Sequence, residues 1–333
     1  MKSTKLKDKK IQIINCDKPA LEGKKGAIIK VSGCGLCGSD IVKINHATIE
    51  NEDKIILGHE AIGTIEDINV EVKGKGENIP FKKGDVVALG HHYPCFKCKY
   101  CSHGNYSMCK TFKDSNIYPS GFSEYIFVNE NHLKYTVYKK NESLSNEEFS
   151  FLEPLSCCIR AIKRAGLKLN KDNSSYNCLV VGLGSIGILM AQGLKAFQTN
   201  VFGLDINEKR QEFVKKYGVF FNEKIKYDII FMTSGSFRAL ETALNLIDFG
   251  GKIIVFSSIE GDLGYKNNDI YYKELEILGS YSPSPDDLYL SSIFLKEGRV
   301  NVKGLSTDYT LDNLARAVDD TKSGKILKAY IVI

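Results

Sequence analysis

Four cysteines crowd into fifteen residues: Cys95, Cys98, Cys101 and Cys109 have the spacing C-x2-C-x2-C-x7-C. Four thiolates on one short loop can close a tetrahedral shell around zinc with no open position. Such a site contributes folding energy rather than chemistry. An iron–sulfur cluster is the competing reading, but its common bacterial run has a shorter last gap and a following proline. Lys110 occupies that place here.

A second set of candidate ligands is dispersed. Cys37 lies in Gly35-Leu36-Cys37-Gly38-Ser39-Asp40, His59 and Glu60 follow Gly58, and Glu153 precedes Pro154 and Leu155. Singly, each has an ordinary explanation as a core thiol, a hydrogen-bonded histidine or a helix start. Together, Cys37, His59 and a carboxylate form a three-ligand zinc set with one position left for water or substrate. Zinc so held is a Lewis acid that brings the ionisation of an alcohol towards neutral pH. The alcohol carbon can then give up a hydride. Ser39 is placed to pass the hydroxyl proton outwards, and Asp40 to orient a ligand from behind.

A hydride needs an acceptor. Gly182-Leu183-Gly184-Ser185-Ile186-Gly187 has the form G-x-G-x-x-G, between a predicted strand and a predicted helix. The backbone at Gly182, Gly184 and Gly187, with Ser185 and Ile186 opening the helix, is suited to a dinucleotide pyrophosphate. Asp205, eighteen residues past Gly187, can bond both adenosine ribose hydroxyls and would repel a 2′-phosphate, which favours NAD. Lys209 and Arg210 lie just downstream and keep NADP open; Arg210 is counted with the cofactor residues.

These residues need elements to position them. The first 150 residues read as short strands and turns, among them Gly26–Ser32, Glu60–Asp67 and Asp85–Leu89. From Tyr176 the texture changes. Strands are expected at Asn177–Val181, Asn200–Leu204, Tyr227–Met232, Lys252–Phe256 and Glu276–Ser280. Helices alternate with them at Ile186–Phe197, Glu208–Tyr217 and Ser236–Asp248, the last stopped by Gly250-Gly251. That alternation argues for a doubly wound parallel sheet, so the fold class is α/β. A capped helix starts at Ser284-Pro285-Asp286-Asp287 and ends by Gly298; another runs from Leu311 to Ser323 before a final strand at Ile326–Ile333.

Composition bounds the rest. At 333 residues, 43% apolar and 26% charged, the chain is an ordinary globular protein of about two domains. Its net charge of +5 is uneven: five lysines and one aspartate in the first ten residues make up +4. That segment reads as a solvated, frayed tail. The near-neutral body argues against a nucleic-acid partner. No stretch reads as a signal or a membrane span, so a cytoplasmic location is expected. The ten cysteines are then thiols or metal ligands rather than disulfides.

The three constellations stand in the order and spacing of the zinc-containing medium-chain dehydrogenases, and the chain resembles that family over nearly its full length. The matching stretches are 35–40, 58–60, Lys-Lys-Gly-Asp-Val-Val at 82–87, the cysteine lobe at 95–109, Glu-Pro-Leu at 153–155 and the glycine turn at 182–187. The resemblance implies a GroES-like, mostly β catalytic domain at 1–155, completed by 295–333, and a Rossmann NAD-binding domain at 156–294. It also implies a cleft between them, a small alcohol or carbonyl substrate, and a homo-oligomer, dimer or tetramer. A glutamate at 153 resembles the sorbitol and polyol dehydrogenase branch, in which either Glu60 or Glu153 coordinates zinc, directly or through water. Cys37, His59 and Glu153 are the expected ligands, with Glu60 exchanging.

One departure concerns the proton. Many relatives carry a histidine where this chain has Val42; His46 is nearby in sequence, and the nicotinamide ribose is the other route. His92 is expected to be structural, and Cys34, Cys157 and Cys158 to be packing residues. The expected activity is NAD- and zinc-dependent oxidation of a secondary alcohol of polyol, sugar or amino-alcohol type. The alternatives are an NADP-preferring aldehyde or ketone reductase and a non-catalytic nucleotide-sensing protein.

Overall fold

The computed structural model describes residues 1–48, 50–258 and 265–333. The chain divides into two units: Met1–Glu153 with Ser284–Glu297 and Val302–Ile333, and Pro154–Pro283 with Gly298–Asn301. The C-terminal return begins at Ser284, eleven residues before the expected 295. Helix Pro285–Lys296 is responsible: the Tyr138 hydroxyl donates to the Pro285 carbonyl at 2.9 Å, and Ser291 donates to the Leu152 carbonyl at 2.7 Å.

Strands are numbered in chain order. The first unit holds β1 (Lys2–Lys7), β2 (Lys10–Asn15), β3 (Gly26–Gly35), β4 (Glu60–Ile68), β5 (Val86–Leu89), β6 (Tyr125–Asn129) and β7 (Val137–Lys139), with β13 (Thr307–Thr310) and β14 (Ala329–Val332) from the C-terminal segment. Seven of them form one sheet in the order β13-β14-β3-β4-β5-β7, with β6 paired to β3. Its core is aliphatic: Ile29, Ile65, Val87 and Ile126 are fully buried, each stabilising by roughly 1.5–3 kcal/mol. The register matters most at one end. Gly35 at the end of β3 pairs with both Glu60 at the start of β4 and Tyr330 of β14. Cys37, His59 and Lys328 are therefore delivered to the same corner of the sheet.

The lysine-rich start is not a frayed tail. β1 and β2 pair antiparallel from Lys2↔Asn15 to Lys7↔Lys10. Asp8 and Lys9 both have positive φ, 51° and 57°, which suits a two-residue hairpin turn. Leu6, Ser3 and Thr4 are buried between the lysines, and the Ser3 and Thr4 hydroxyls meet those of Ser123 and Ser120 at 2.7 and 2.9 Å. Lysine composition conceals this buried face.

The second unit holds β8 (Asn177–Val181), β9 (Asn200–Leu204), β10 (Tyr227–Met232), β11 (Ile247–Val255) and β12 (Glu276–Gly279), all parallel, in the order β12-β11-β10-β8-β9. That is the dinucleotide-binding order with its third strand reduced to one bridge, Phe202↔Phe220. The helix expected at 236–248 ends at Leu246, because Ile247 already pairs with Tyr227 and the strand runs on through Gly250-Gly251. Among the described residues no helix is long and apolar enough to cross a membrane.

Candidate active site and metal centres

Helix Gly38–Asn45 leaves the end of β3 with Cys37 as its N-cap. Asp40, fully buried in the first turn, ties the corner together. Its carboxylate accepts the Cys37 N–H at 3.2 Å and the Gly58 N–H at 3.0 Å. His59 Nδ1 lies 3.3 Å from the same carboxylate, an ion-pair contact rather than a well-directed hydrogen bond. Burial works against the charge on both groups. The His59–Asp40 attraction overcomes it, holding Asp40 below the usual carboxylate range and, with help from Cys37, His59 well above the usual imidazole range.

Ligand atoms of Cys37, His59 and Glu60 lie within 4.8 Å of one another. Glu60 is 1% exposed, and its Oε1 has no hydrogen-bond partner. A buried carboxylate oxygen left alone is costly, so this atom is suited to a cation. The donor set of sulfur, nitrogen and oxygen fits zinc. The other oxygen, Oε2, lies 2.5 Å from the Lys328 ammonium, which is 4% exposed. Lys328 also donates to the Leu36 carbonyl at 3.3 Å. Burial opposes its charge, but Glu60, Cys37 and Glu153 together keep its pKa above the usual lysine range. Gly35 makes room for this: a Cβ there would sit 1.9 Å from Glu60 Oε2.

Glu153 stands in the first turn of helix Leu152–Arg164, 4% exposed, and falls outside the 4.8 Å group. Ser39 is exposed, with its hydroxyl 3.4 Å from His59 Nε2. His46 is at the far end of helix Gly38–Asn45, as its C-cap. The rings of His91 and His92 continue from His59, with centroids 4.7 and 3.9 Å apart, and His92 packs on Phe112 at 4.9 Å. His92 donates through Nδ1 to the Ser115 carbonyl, and His132 through Nε2 to that of His91 at 3.0 Å. Burial holds His91 well below the usual range and His92 and His132 down to about 4, so all three are neutral at pH 7. Cys34 and Cys158 are fully buried, and among the described residues neither they nor Cys157 belong to a metal-ligand group.

Cys95, Cys98, Cys101 and Cys109 form the other group, again within 4.8 Å of one another. Cys101 Sγ lies 3.6 Å from Cys98 Sγ and 4.0 Å from Cys95 Sγ. A tetrahedron with zinc–sulfur bonds of 2.3 Å has edges of about 3.8 Å, so the four thiols fit that ion. Burial pushes the Cys101 thiol up to about 12. Cys109 is drawn down to about 6, because N–H groups of Cys95 and Phe112 outweigh its burial.

In the second unit the glycine turn leaves β8 and enters helix Ser185–Ala196, with Gly184 as N-cap and Ser185 and Ile186 in its first turn. A Cβ at Gly187 would meet the Gly182 carbonyl oxygen at 1.9 Å, so only glycine lets helix and turn approach. A Cβ at Gly184 would meet nothing within 4 Å: the turn is open there, as a pyrophosphate cradle requires. Asp205 accepts the Leu183 N–H at 2.6 Å and the Asn207 N–H at 2.8 Å, one on each oxygen. Each oxygen keeps a second lone pair for a ribose hydroxyl. Arg210 lies 3.7 Å from Asp205. Thr233, after β10, holds the turn through its hydroxyl, 2.6 Å from the Gly182 carbonyl. Neither Thr233 nor Lys328 was legible in the sequence. The one available signal was a lysine inside an otherwise apolar last strand, Ile326–Ile333.

Residues 23–138 match the family described as alcohol dehydrogenase GroES-like domain, and residues 185–296 match the zinc-binding dehydrogenase family. The chain belongs to the zinc-containing medium-chain dehydrogenases. It is an oxidoreductase that uses zinc and a nicotinamide dinucleotide. A probable D-xylulose reductase A of Aspergillus niger is 26% identical over 94% of this chain and 91% of its own length. An Escherichia coli oxidoreductase of unknown specificity has the same fold, with a TM-score of 0.84 at 24% identity over 100% and 99% of the two chains. So has the 2R,3R-butanediol dehydrogenase of Bacillus subtilis, at 0.82 and 23% over 100% and 99%.

Proposed function

We propose that this dehydrogenase moves a hydride between NAD and a secondary alcohol of polyol, sugar or amino-alcohol type, with Cys37, His59 and Glu60 holding the zinc. The observation that carries this is the buried, unpartnered Oε1 of Glu60 beside the Cys37 thiol and the His59 imidazole. Zinc held there supplies a Lewis acid that eases loss of the alcohol proton. The remaining work falls to the chain. Asp40 orients Cys37 and His59, the exposed Ser39 hydroxyl takes the proton towards solvent, and Glu153 adds negative charge from outside the group. Similarity to the xylulose reductases supports a polyhydroxylated substrate.

Asp205 supports NAD over NADP. The nearest cation, Arg210, already faces that carboxylate at 3.7 Å rather than standing free for a 2′-phosphate. Cysteines 95, 98, 101 and 109 hold the second, structural zinc in this reading. The family resemblance further supports a cytoplasmic homo-oligomer, dimer or tetramer. The test is zinc content of the wild type and of Cys37→Ser, with NAD reduction over a panel of polyols, sugars and amino-alcohols. Two zinc ions per chain falling to one, with turnover lost by roughly a thousandfold or more, is expected for removal of a Lewis acid. NAD binding without turnover of any alcohol, and one zinc in the wild type, would leave a nucleotide-binding protein on a dehydrogenase scaffold.

A further inference from the structure

Lys328 is a buried charge of the catalytic unit to which the zinc assignment gives no role. It is 4% exposed, its ammonium meets Glu60 Oε2 at 2.5 Å, and it donates to the carbonyl of Leu36, the residue before Cys37. β14 brings it there, because Tyr330 pairs with Gly35 and the strands run antiparallel. An isolated ammonium in such a place is strongly unfavourable, so it stands there only because anions surround it. Glu60 is the anion it meets, and Cys37 and Glu153 also act on its charge, all of them buried or half-buried.

We propose that Lys328 is a positioning residue of the zinc centre, holding Glu60 by one carboxylate oxygen so that the other is presented as a ligand. This rests on the assignment of zinc to Cys37, His59 and Glu60. Two observations support it. The two Glu60 oxygens are in unlike situations, one ion-paired and the other buried without a partner. The lysine is itself tied at 3.3 Å to the carbonyl of Leu36, next to the ligand Cys37, so the carboxylate it grips is fixed relative to that ligand. Outer partners of this kind commonly alter metal affinity or activity by about 10–100-fold.

The experiment compares zinc extraction by a chelator and the ligand-field spectrum of the cobalt(II)-substituted site in the holoenzyme and in Lys328→Met, Lys328→Arg, Glu60→Gln and the double variant Lys328→Met/Glu60→Gln. Lys328→Met is expected to lose zinc from the catalytic site at least tenfold faster, with an altered cobalt spectrum and the lobe zinc unchanged. Lys328→Arg should restore most of both. Removing one member of a buried pair can prevent folding, whereas replacing both is often tolerated. The double variant therefore carries the test if the single one fails: it should match Glu60→Gln in extraction rate and spectrum, since Lys328 acts through Glu60. A double variant clearly worse than Glu60→Gln, or a Lys328→Met protein with wild-type spectrum and extraction, overturns the proposal. A wild type with only the lobe zinc would instead sink the catalytic-site assignment beneath it.

Discussion

The four-thiol lobe and the Cys37–His59–Glu60 group suit the same ion and are built in opposite ways. The lobe takes its ligands from fifteen consecutive residues, and its own apolar core is small: Cys101, Cys109 and Phe112 are its buried members. The other group hangs from the ends of paired strands in a large buried sheet, with Asp40 and Lys328 behind it. A site made of one short loop has little besides the ion to hold it in shape. A site carried on a packed sheet is in place before any ion arrives, and so can leave a position open for chemistry. Stability and activity should therefore respond separately to the two sites.

The largest effect expected is on folding. Cys101→Ser removes a 5% exposed ligand that lies 3.6 and 4.0 Å from the Cys98 and Cys95 thiols. Structural zinc contributes folding free energy directly, so loss of that ion should lower Tm by on the order of 10 °C. Cys37→Ser should lose its own zinc and the activity while shifting Tm only slightly. Thermal melts of both variants, read with their zinc content, would break the comparison if the two shifts were equal.

The same contrast explains what the sequence disclosed. The lobe and the glycine turn were legible because their members lie within about twenty residues of one another and spacing alone implies the geometry. The catalytic group was legible only as residue types. Which carboxylate stands with Cys37 and His59 depends on the Gly35↔Glu60 register, and the structure puts Glu60 there and leaves Glu153 outside the group. Lys328 was hidden for the same reason, since the pairing of β14 with β3 joins residues nearly three hundred positions apart. The alternating strands of the second unit could be read from periodicity. The hairpin at Lys2–Asn15 could not, because lysine composition outweighed a two-residue alternation. Thr233 escaped because a hydroxyl bonded to a backbone carbonyl leaves no pattern in sequence.

Asp40→Asn sharpens the comparison on the side of the open site. One carboxylate accepts two N–H groups, from Cys37 and Gly58, and faces His59 as well. An amide of the same shape can accept at one oxygen only, and its NH2 must then point at the other donor. Zinc affinity at the Cys37 site should fall by about 10–100-fold, with the lobe unaffected. Competition against a chelator, followed separately for the two ions, measures this. Equal weakening of both would mean that the sites are not independently held.

The smallest effect concerns the packing between the two sites, where the rings of His91 and His92 run from His59 to Phe112 and His132 bonds the His91 carbonyl. Burial holds His132 down to about 4 in the folded chain, against an ordinary 6.5 once unfolded. Below pH 6.5 the unfolded chain therefore takes up a proton that the folded chain refuses. Stability from this group is complete above 6.5 and is lost as pH falls towards 4. At pH 5.5 the loss is about 1.4 kcal/mol. Glutamine at 132 can still donate to the same carbonyl but does not titrate. The stability difference between wild type and His132→Gln should therefore shrink in that sense by about 1.4 kcal/mol between pH 7.5 and 5.5, read from denaturant melts at each pH. Parallel curves would mean that the histidine is not held neutral. The packing between lobe and active site would then be looser than its 1% exposure implies, and the two sites less separate in how they respond to acid.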